Sequence, residues 1–195
     1  MEAVQSIVSV INQRLIGRVN PLVVSLDGGS GAGKSTLAAE VASQYGATVI
    51  QCDDFFDATI TEDEWDSFTL EQKCHRCIDW QRMRKEALLP LLAGKKAQYH
   101  PFSFSSGNGL ASHWVTKEPS EVIILDGIYS SLPDLSDVVD LFVLVDVVPE
   151  LRRHRHNMRE GSADAAWHRR WDSVEDYYFS ALRPPTSYDL IVFNT

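Results

Sequence analysis

Cysteine is scarce in this chain of 195 residues, which carries three, Cys52, Cys74 and Cys77. So small and odd a number excludes a disulfide framework and points to a reducing, cytoplasmic setting. Cys74 and Cys77 have the spacing of half a structural zinc site, and no second pair completes it, so reduced thiols on a helix are expected instead. Basic residues are also short: 18 Lys and Arg face 27 Asp and Glu, a net charge of -9. General binding along a nucleic-acid backbone needs clustered cations that release counterions, so no nucleic-acid partner is expected, although a local basic site is compatible with the total. No apolar run approaches the roughly 20 residues that cross a bilayer, and no membrane partner is expected. The opening MEAVQSIVSVINQRL lacks the basic start, unbroken apolar segment and small-residue cleavage site of a secretory signal. Its Val4, Ile7, Val8, Ile11 and Leu15 recur at helical spacing and predict an amphipathic first helix.

What is present is a regular alternation. Short runs rich in Val and Ile occur at Leu22–Leu26, Ala47–Cys52, Glu121–Asp126, Leu141–Val147 and Tyr188–Phe193. Helical patterns lie between them at Lys34–Gln44, Ile78–Leu92, Pro149–Arg159 and Asp164–Leu182. Buried strands alternating with helices predict a doubly wound α/β fold, a five-stranded parallel sheet with helices on both faces. The length suits one domain spanning residues 1–195, and self-association into a homo-oligomer is left open. Two stretches stand outside the scheme. Tyr99–Ser120 is rich in turn residues and aromatics, a candidate acceptor flap near 99–120, and Glu160–Asp164 breaks two helices inside a candidate lid near 150–170. The acidic stretch TEDEWD from Thr61 reads as a solvated loop.

The strongest motif is LDGGSGAGKSTLAAE, in which Gly28, Gly33, Lys34 and Ser35 satisfy the G-x-x-x-x-G-K-[ST] pattern between a strand and a helix. The spelling has a physical reason. Glycines let backbone N–H groups from Gly28, Gly29, Ser30, Gly31, Ala32 and Gly33 converge on phosphate oxygens, and the next helix offers its positive end. Lys34 reaches toward the β and γ phosphates of ATP, and Ser35 is a ligand for Mg2+. Thr36 is expected to pack and cap beside the loop. A nucleotide-dependent switch would use the same loop, but no Asn-Lys-x-Asp guanine signature, Asp-x-x-Gly switch motif or Leu-Ser-Gly-Gly-Gln transporter signature occurs.

Asp53 and Asp54, in QCDDFF, stand at a carboxyl strand end, where open α/β sheets keep their ligands. With GGSGAGKST before it and LDGIY after it, the chain resembles the uridine kinase-like family of P-loop kinases from about Leu22 to Val192. That family includes uridine-cytidine kinases, nicotinamide riboside kinases and phosphoribulokinase. The resemblance implies that Asp53 takes the proton of the acceptor hydroxyl and that Asp126 holds magnesium. The family more often carries Glu before this glycine, and Asp126 followed by Gly127 is also the ordinary start of a tight turn. In PELRRHRHNMREG, Arg152, Arg155, His156 and Arg159 share a helix face at spacings of three and four. The helix is either solvated and basic, or the lid that the family closes over the phosphates. The family's Arg-Arg-x-x-Arg-Asp phrase is not kept, and Arg152 and Arg155 are the candidates to neutralise the transferred group.

The acceptor is read less directly. Asp79 matches the family position that binds ribose hydroxyls, and it equally suits a helix cap. Tyr99, Phe102 and Trp114, with His100 and His113, either line an acceptor pocket or pack the flap, and Arg169 follows the lid toward the acceptor side. The expected activity is transfer of phosphate from ATP, with magnesium, to a hydroxyl of a small metabolite such as a nucleoside or similar sugar-bearing compound. A pantothenate-like or sugar alcohol acceptor is the alternative.

Overall fold

The computed structural model describes residues 2–104, 109–160 and 165–194, with the backbone alone at residues 159, 160, 165 and 166. The chain starts with helix α1 (Glu2–Leu15), whose Val4, Ile7 and Ile11 are buried as their spacing requires. Then come β1 (Leu22–Asp27), α2 (Lys34–Tyr45) and β2 (Thr48–Gln51), the last running into a 3-10 turn at Cys52–Phe55. Helices α3 (Glu62–Ser67), α4 (Leu70–Arg76) and α5 (Trp80–Met83) follow, and α5 continues through a π segment at Arg84–Leu88 into α6 (Leu89–Leu92). Short strands β3 (Ala97–Tyr99), β4 (Phe102–Ser103), β5 (Gly109–Leu110) and β6 (Val115–Lys117) precede β7 (Val122–Asp126) and β8 (Leu141–Asp146). The chain closes with α7 (Pro149–Glu160), α8 (Ala165–Tyr177), a π turn at Tyr178–Leu182, and β9 (Leu190–Phe193).

Five strands form the main sheet in the order β2-β7-β1-β8-β9, with every pairing parallel. Strand β1 is central and buried along its whole length, which is why LVVSLD reads as a continuous run. Its residues alternate between two cores. Leu22, Val24 and Leu26 meet Ile7 and Ile11 of α1 and Val41 of α2 on one face. Val23 joins Met83, Leu88, Trp171, Val174 and Tyr178 on the other. The expected doubly wound architecture is therefore the one observed.

Three local expectations change. The acidic stretch after Thr61 is helix α3, because Thr61 and Glu64 form a capping box and Trp65 is buried. Thr69 and Gln72 cap α4 in the same way. Thr36 is exposed rather than packed, and the cap of α2 is Gly33, with no side-chain cap hydrogen bond. The candidate flap is built on two small antiparallel ladders, β3 with β6 and β4 with β5, and its residues 105–108 lie outside the described residues. Within the candidate lid, residues 161–164 lie outside them too.

Candidate active site

Strand β1 ends in Asp27, which is fully buried and anchors the phosphate loop from below. Its Oδ1 accepts from the N–H of Gly28 at 2.8 Å and of Tyr129 at 3.1 Å. Its Oδ2 accepts from Ser131 N at 3.2 Å and from the hydroxyls of Tyr178 at 2.5 Å and Tyr188 at 3.0 Å. A buried charge this well hydrogen-bonded ties the loop to the turn after β7 and to the C-terminal segment at once. Burial and the nearby Asp27 carboxylate push both tyrosine hydroxyls above their ordinary range. Sequence reasoning missed this residue, because an acid before a glycine-rich turn looks like a turn former.

Around the loop, Lys34 Nζ donates to Gly28 O at 2.8 Å and Gly29 O at 3.1 Å, so its charge lies along the entry half of the loop. Asn194, just after β9, donates to Ala32 O at 2.8 Å. Helix α7 lies across the loop with its backbone in contact. A β-carbon placed on Gly31, whose φ is +84°, meets the backbone oxygen of Arg152 at 2.3 Å.

Two carboxylates stand at neighbouring strand ends. Asp126, at the end of β7, is nearly buried, and burial pushes its carboxyl up; a hydrogen bond with the Ser35 side chain and the charge of Lys34 oppose that rise, and the charge of Asp53 adds to it. Its Oδ1 is buried with no hydrogen-bond partner among the described residues. A buried carboxylate oxygen without a partner, beside a serine hydroxyl, is unfavourable unless a cation or water meets it, and this pair fits a magnesium ion. Asp53 is exposed, and no hydrogen bond to its carboxylate is found among the described residues. Asp54 differs: its Oδ2 accepts from Tyr99 OH at 2.9 Å, and burial pushes its carboxyl up while that bond and Lys117 oppose the rise.

The cations expected on one face of α7 are divided. Arg152 forms an ion pair with the buried Glu175 of α8, and Glu175 also accepts from the backbone N–H of Ser30. Arg155 donates to Asn194 O at 3.3 Å, beside Gly33. His156 is buried, with Nδ1 3.0 Å from Ser30 Oγ and its ring stacked on Trp167 at 4.1 Å. The side chain of Arg159 lies outside the described residues, and Arg169 is exposed to solvent. Arg170 instead pairs with Glu62 and Asp66, tying α8 to α3. Glu175 was missed at the sequence level, since either of the two adjacent acids of VEDYY reads as an ordinary polar position.

On the acceptor side, Asp79 caps α5, accepting from Arg82 N at 2.9 Å. Tyr99 is fully buried against Phe55, at 4.5 Å between ring centroids, and Phe102 packs on Phe56 at 5.0 Å. Both rings are thereby buried against the turn that follows β2. What stays open is Phe104 beyond β4, 65% exposed, and Trp114, 62% exposed and stacked on His100 at 3.8 Å. All three cysteines are free and buried, and no metal-ligand cluster occurs among the described residues. No helix of the described residues is long and apolar enough to cross a membrane.

A five-stranded parallel sheet, a phosphate loop at the end of its central strand and two carboxylates at adjacent strand ends define a P-loop phosphotransferase. The comparisons narrow this class. Residues 23–165 match the phosphoribulokinase / uridine kinase family, and the chain belongs to that family. It is 26% identical over 164 residues to a uridine kinase of Halobacterium salinarum, covering 83% of this chain and 71% of that one. It is 27% identical over 175 residues to a uridine kinase of Clostridium perfringens, covering 84% and 78%. Among solved structures, a Bacillus stearothermophilus chain whose description proposes a uridine kinase superposes with a TM-score of 0.71 at 18% identity, covering 99% of this chain and 98% of that one. A chain from Silicibacter sp. TM1040, whose description proposes a fructose transport system kinase, gives 0.69 at 21% identity, covering 97% and 98%. These two share the fold. Membership of the family makes the protein an ATP-dependent kinase that phosphorylates a hydroxyl group.

Proposed function

We propose that this kinase works with magnesium in the cytoplasm, as one domain over residues 1–195, and phosphorylates a nucleoside or a similar sugar-bearing small molecule. The observation that carries the reading is Asp53: an exposed carboxylate whose oxygens are not spent on the protein, close enough to Asp126 for its charge to be felt there. Asp54, one residue on, is engaged by Tyr99 and is not the base. In the proposed step a lone pair of the acceptor oxygen forms a bond to the γ-phosphorus while the bond to the β–γ bridging oxygen breaks. ADP leaves with that electron pair, and the hydroxyl proton passes to the Asp53 carboxylate.

The loop amides from Gly28 to Ser35 and the Lys34 ammonium hold the phosphates, and Arg152 and Arg155 face them from α7. Magnesium, held by Ser35 and Asp126, supplies charge neutralisation at the phosphate oxygens when bound. Docking of α7 on the loop excludes water that would otherwise take the phosphoryl group. Two things support a nucleoside as acceptor: several relatives are named uridine kinases, and the turn that carries Asp53 is flanked by β4, beyond which Phe104 packs on Phe56 and Phe102 and is 65% exposed. A flat aromatic surface beside a few polar groups suits a ring-bearing guest. Three buried thiols suit a reducing compartment.

The test is product analysis by mass spectrometry after incubation with ATP, magnesium and a panel of nucleosides, pantothenate and sugars. A nucleoside monophosphate formed with one ADP each is the expected result. Product from pantothenate or a sugar alone overturns the acceptor class. ADP and inorganic phosphate with no phosphorylated acceptor contradict the assigned transfer.

A further inference from the structure

The Glu175 carboxylate sits where an anion of a different kind is expected. It is 4% exposed, both its oxygens accept from the Ser30 N–H, at 3.2 and 3.3 Å, and it pairs with Arg152. Burial pushes its carboxyl up, and the charges of Arg152 and then Lys34 pull against that. A backbone N–H of the phosphate loop, a guanidinium from the helix across it and the field of the loop lysine are the three kinds of group that hold a terminal phosphate. Ser30 and the tip of Lys34 both lie on the entry half of the loop, the β/γ end, whereas the amides at the start of α2 cradle the inner phosphates. With the carboxylate in place the space beside it, lined by Ser30, Arg152, His156, Trp167 and Glu175 among others, is about 20 Å³, room for about one water.

We propose that Glu175 is a specificity-determining residue that occupies the seat of the terminal phosphate in the nucleotide-free protein, so that a triphosphate must displace it and take over Arg152 and Ser30 N–H, while a diphosphate leaves it in place. The inference rests on the reading of the loop as the ATP site. Two desolvated anions do not share one guanidinium and one N–H without strong repulsion, so arrival of the γ-phosphate and departure of Glu175 are one exchange. A diphosphate ends short of the seat and leaves the ion pair whole. Helix α7 thereby responds to the phosphate that is to be transferred, and the product ADP leaves α7 as it found it.

Dissociation constants of ATP and ADP, measured by titration calorimetry on wild type, Glu175→Gln and Lys34→Ala, test this. Glu175→Gln keeps an acceptor for Ser30 N–H and removes the charge that competes for Arg152. It is expected to tighten ATP about tenfold, the scale of one charge-assisted contact, and ADP less than about twofold. Equal changes for both nucleotides, or ATP binding that is unchanged or weaker, overturn the proposal. If Glu175→Gln does not fold, as judged by thermal unfolding, Glu175→Asp draws the carboxylate back by one methylene and is expected to shift the ATP-to-ADP ratio in the same direction; an unchanged ratio overturns it. Lys34→Ala separates the two readings. Loss of both nucleotides with no ratio change in Glu175→Gln sinks this inference alone, whereas indifference of both nucleotides to Lys34→Ala sinks the assignment of the loop itself.

Discussion

Gly31→Ala perturbs a place where backbone of the phosphate loop lies against backbone of α7. A left-handed φ of +84° strains any residue with a β-carbon, by roughly 1 kcal/mol. The contact is the larger effect. The added carbon lies 2.3 Å from Arg152 O and 3.2 Å from His156 N, where an ordinary carbon–oxygen approach is about 3.3 Å, so α7 must back away by about 1 Å. Neither partner is a side chain that can swing aside. An error of about 1 Å in groups that neutralise the transferred phosphate costs on the order of a hundredfold in turnover. Gly46→Ala supplies the control, since Gly46 has φ +61° and nothing within 4 Å of the added carbon, so it carries the backbone strain alone. Steady-state kcat and KM for ATP, measured beside Tm for both variants, should show similar losses of Tm and a loss of kcat in Gly31→Ala only. If Gly31→Ala turns over as fast as Gly46→Ala, α7 is not seated on the loop during catalysis and the role given to it is wrong.

Other consequences follow from the same geometry. Asp126→Asn removes half of the proposed magnesium pair, and the magnesium concentration for half-maximal activity should rise about 10- to 100-fold in a metal titration; an unchanged requirement removes Asp126 from the metal site. Asp27→Asn turns an acceptor of five hydrogen bonds into a partial donor facing two tyrosine hydroxyls, and denaturant titration should show a loss of roughly 2 to 4 kcal/mol. Burial pushes the Cys74 thiol from its ordinary value of 9.0 up to about 12. Between those values the unfolded chain has lost the proton and the folded chain keeps it, so stability is present below pH 9 and falls as pH rises through the window, by about 1.4 kcal/mol per pH unit for this group. Unfolding of wild type and Cys74→Ala across pH 9 to 12 should differ by that slope, and parallel curves would refute the burial argument.

Much of the fold is legible because long, periodic segments are. Leu22–Leu26 and Glu121–Asp126 read as buried strands since both faces of a parallel sheet are covered, and the structure buries Leu22–Asp27 and Val122–Asp126 along their whole length. Helix α3 is not read that way, because six residues with four acids resemble a solvated loop unless the Thr61 and Glu64 capping box is weighed against them. Of the site, the phosphate loop is spelled out in order, since its residues act through a contiguous backbone. Tyr99 and Phe102 show the limit. An aromatic residue in a turn-rich stretch lines a pocket or packs a hairpin according to which neighbour it meets, and the neighbours met here, Phe55 and Phe56, stand some 45 residues away. Glu175 is the extreme case. Its partners Ser30 and Arg152 stand 145 and 23 residues off, a relation no local pattern contains.

The account turns on Asp53 as the group that accepts the hydroxyl proton. Asp53→Asn keeps size and exposure and removes that ability, so single-turnover phosphoryl transfer, measured with the ATP dissociation constant on the same preparation, reads the claim directly. Transfer slowed at least about a hundredfold with ATP binding within about twofold of wild type is the predicted result. Transfer at the wild-type rate contradicts the account.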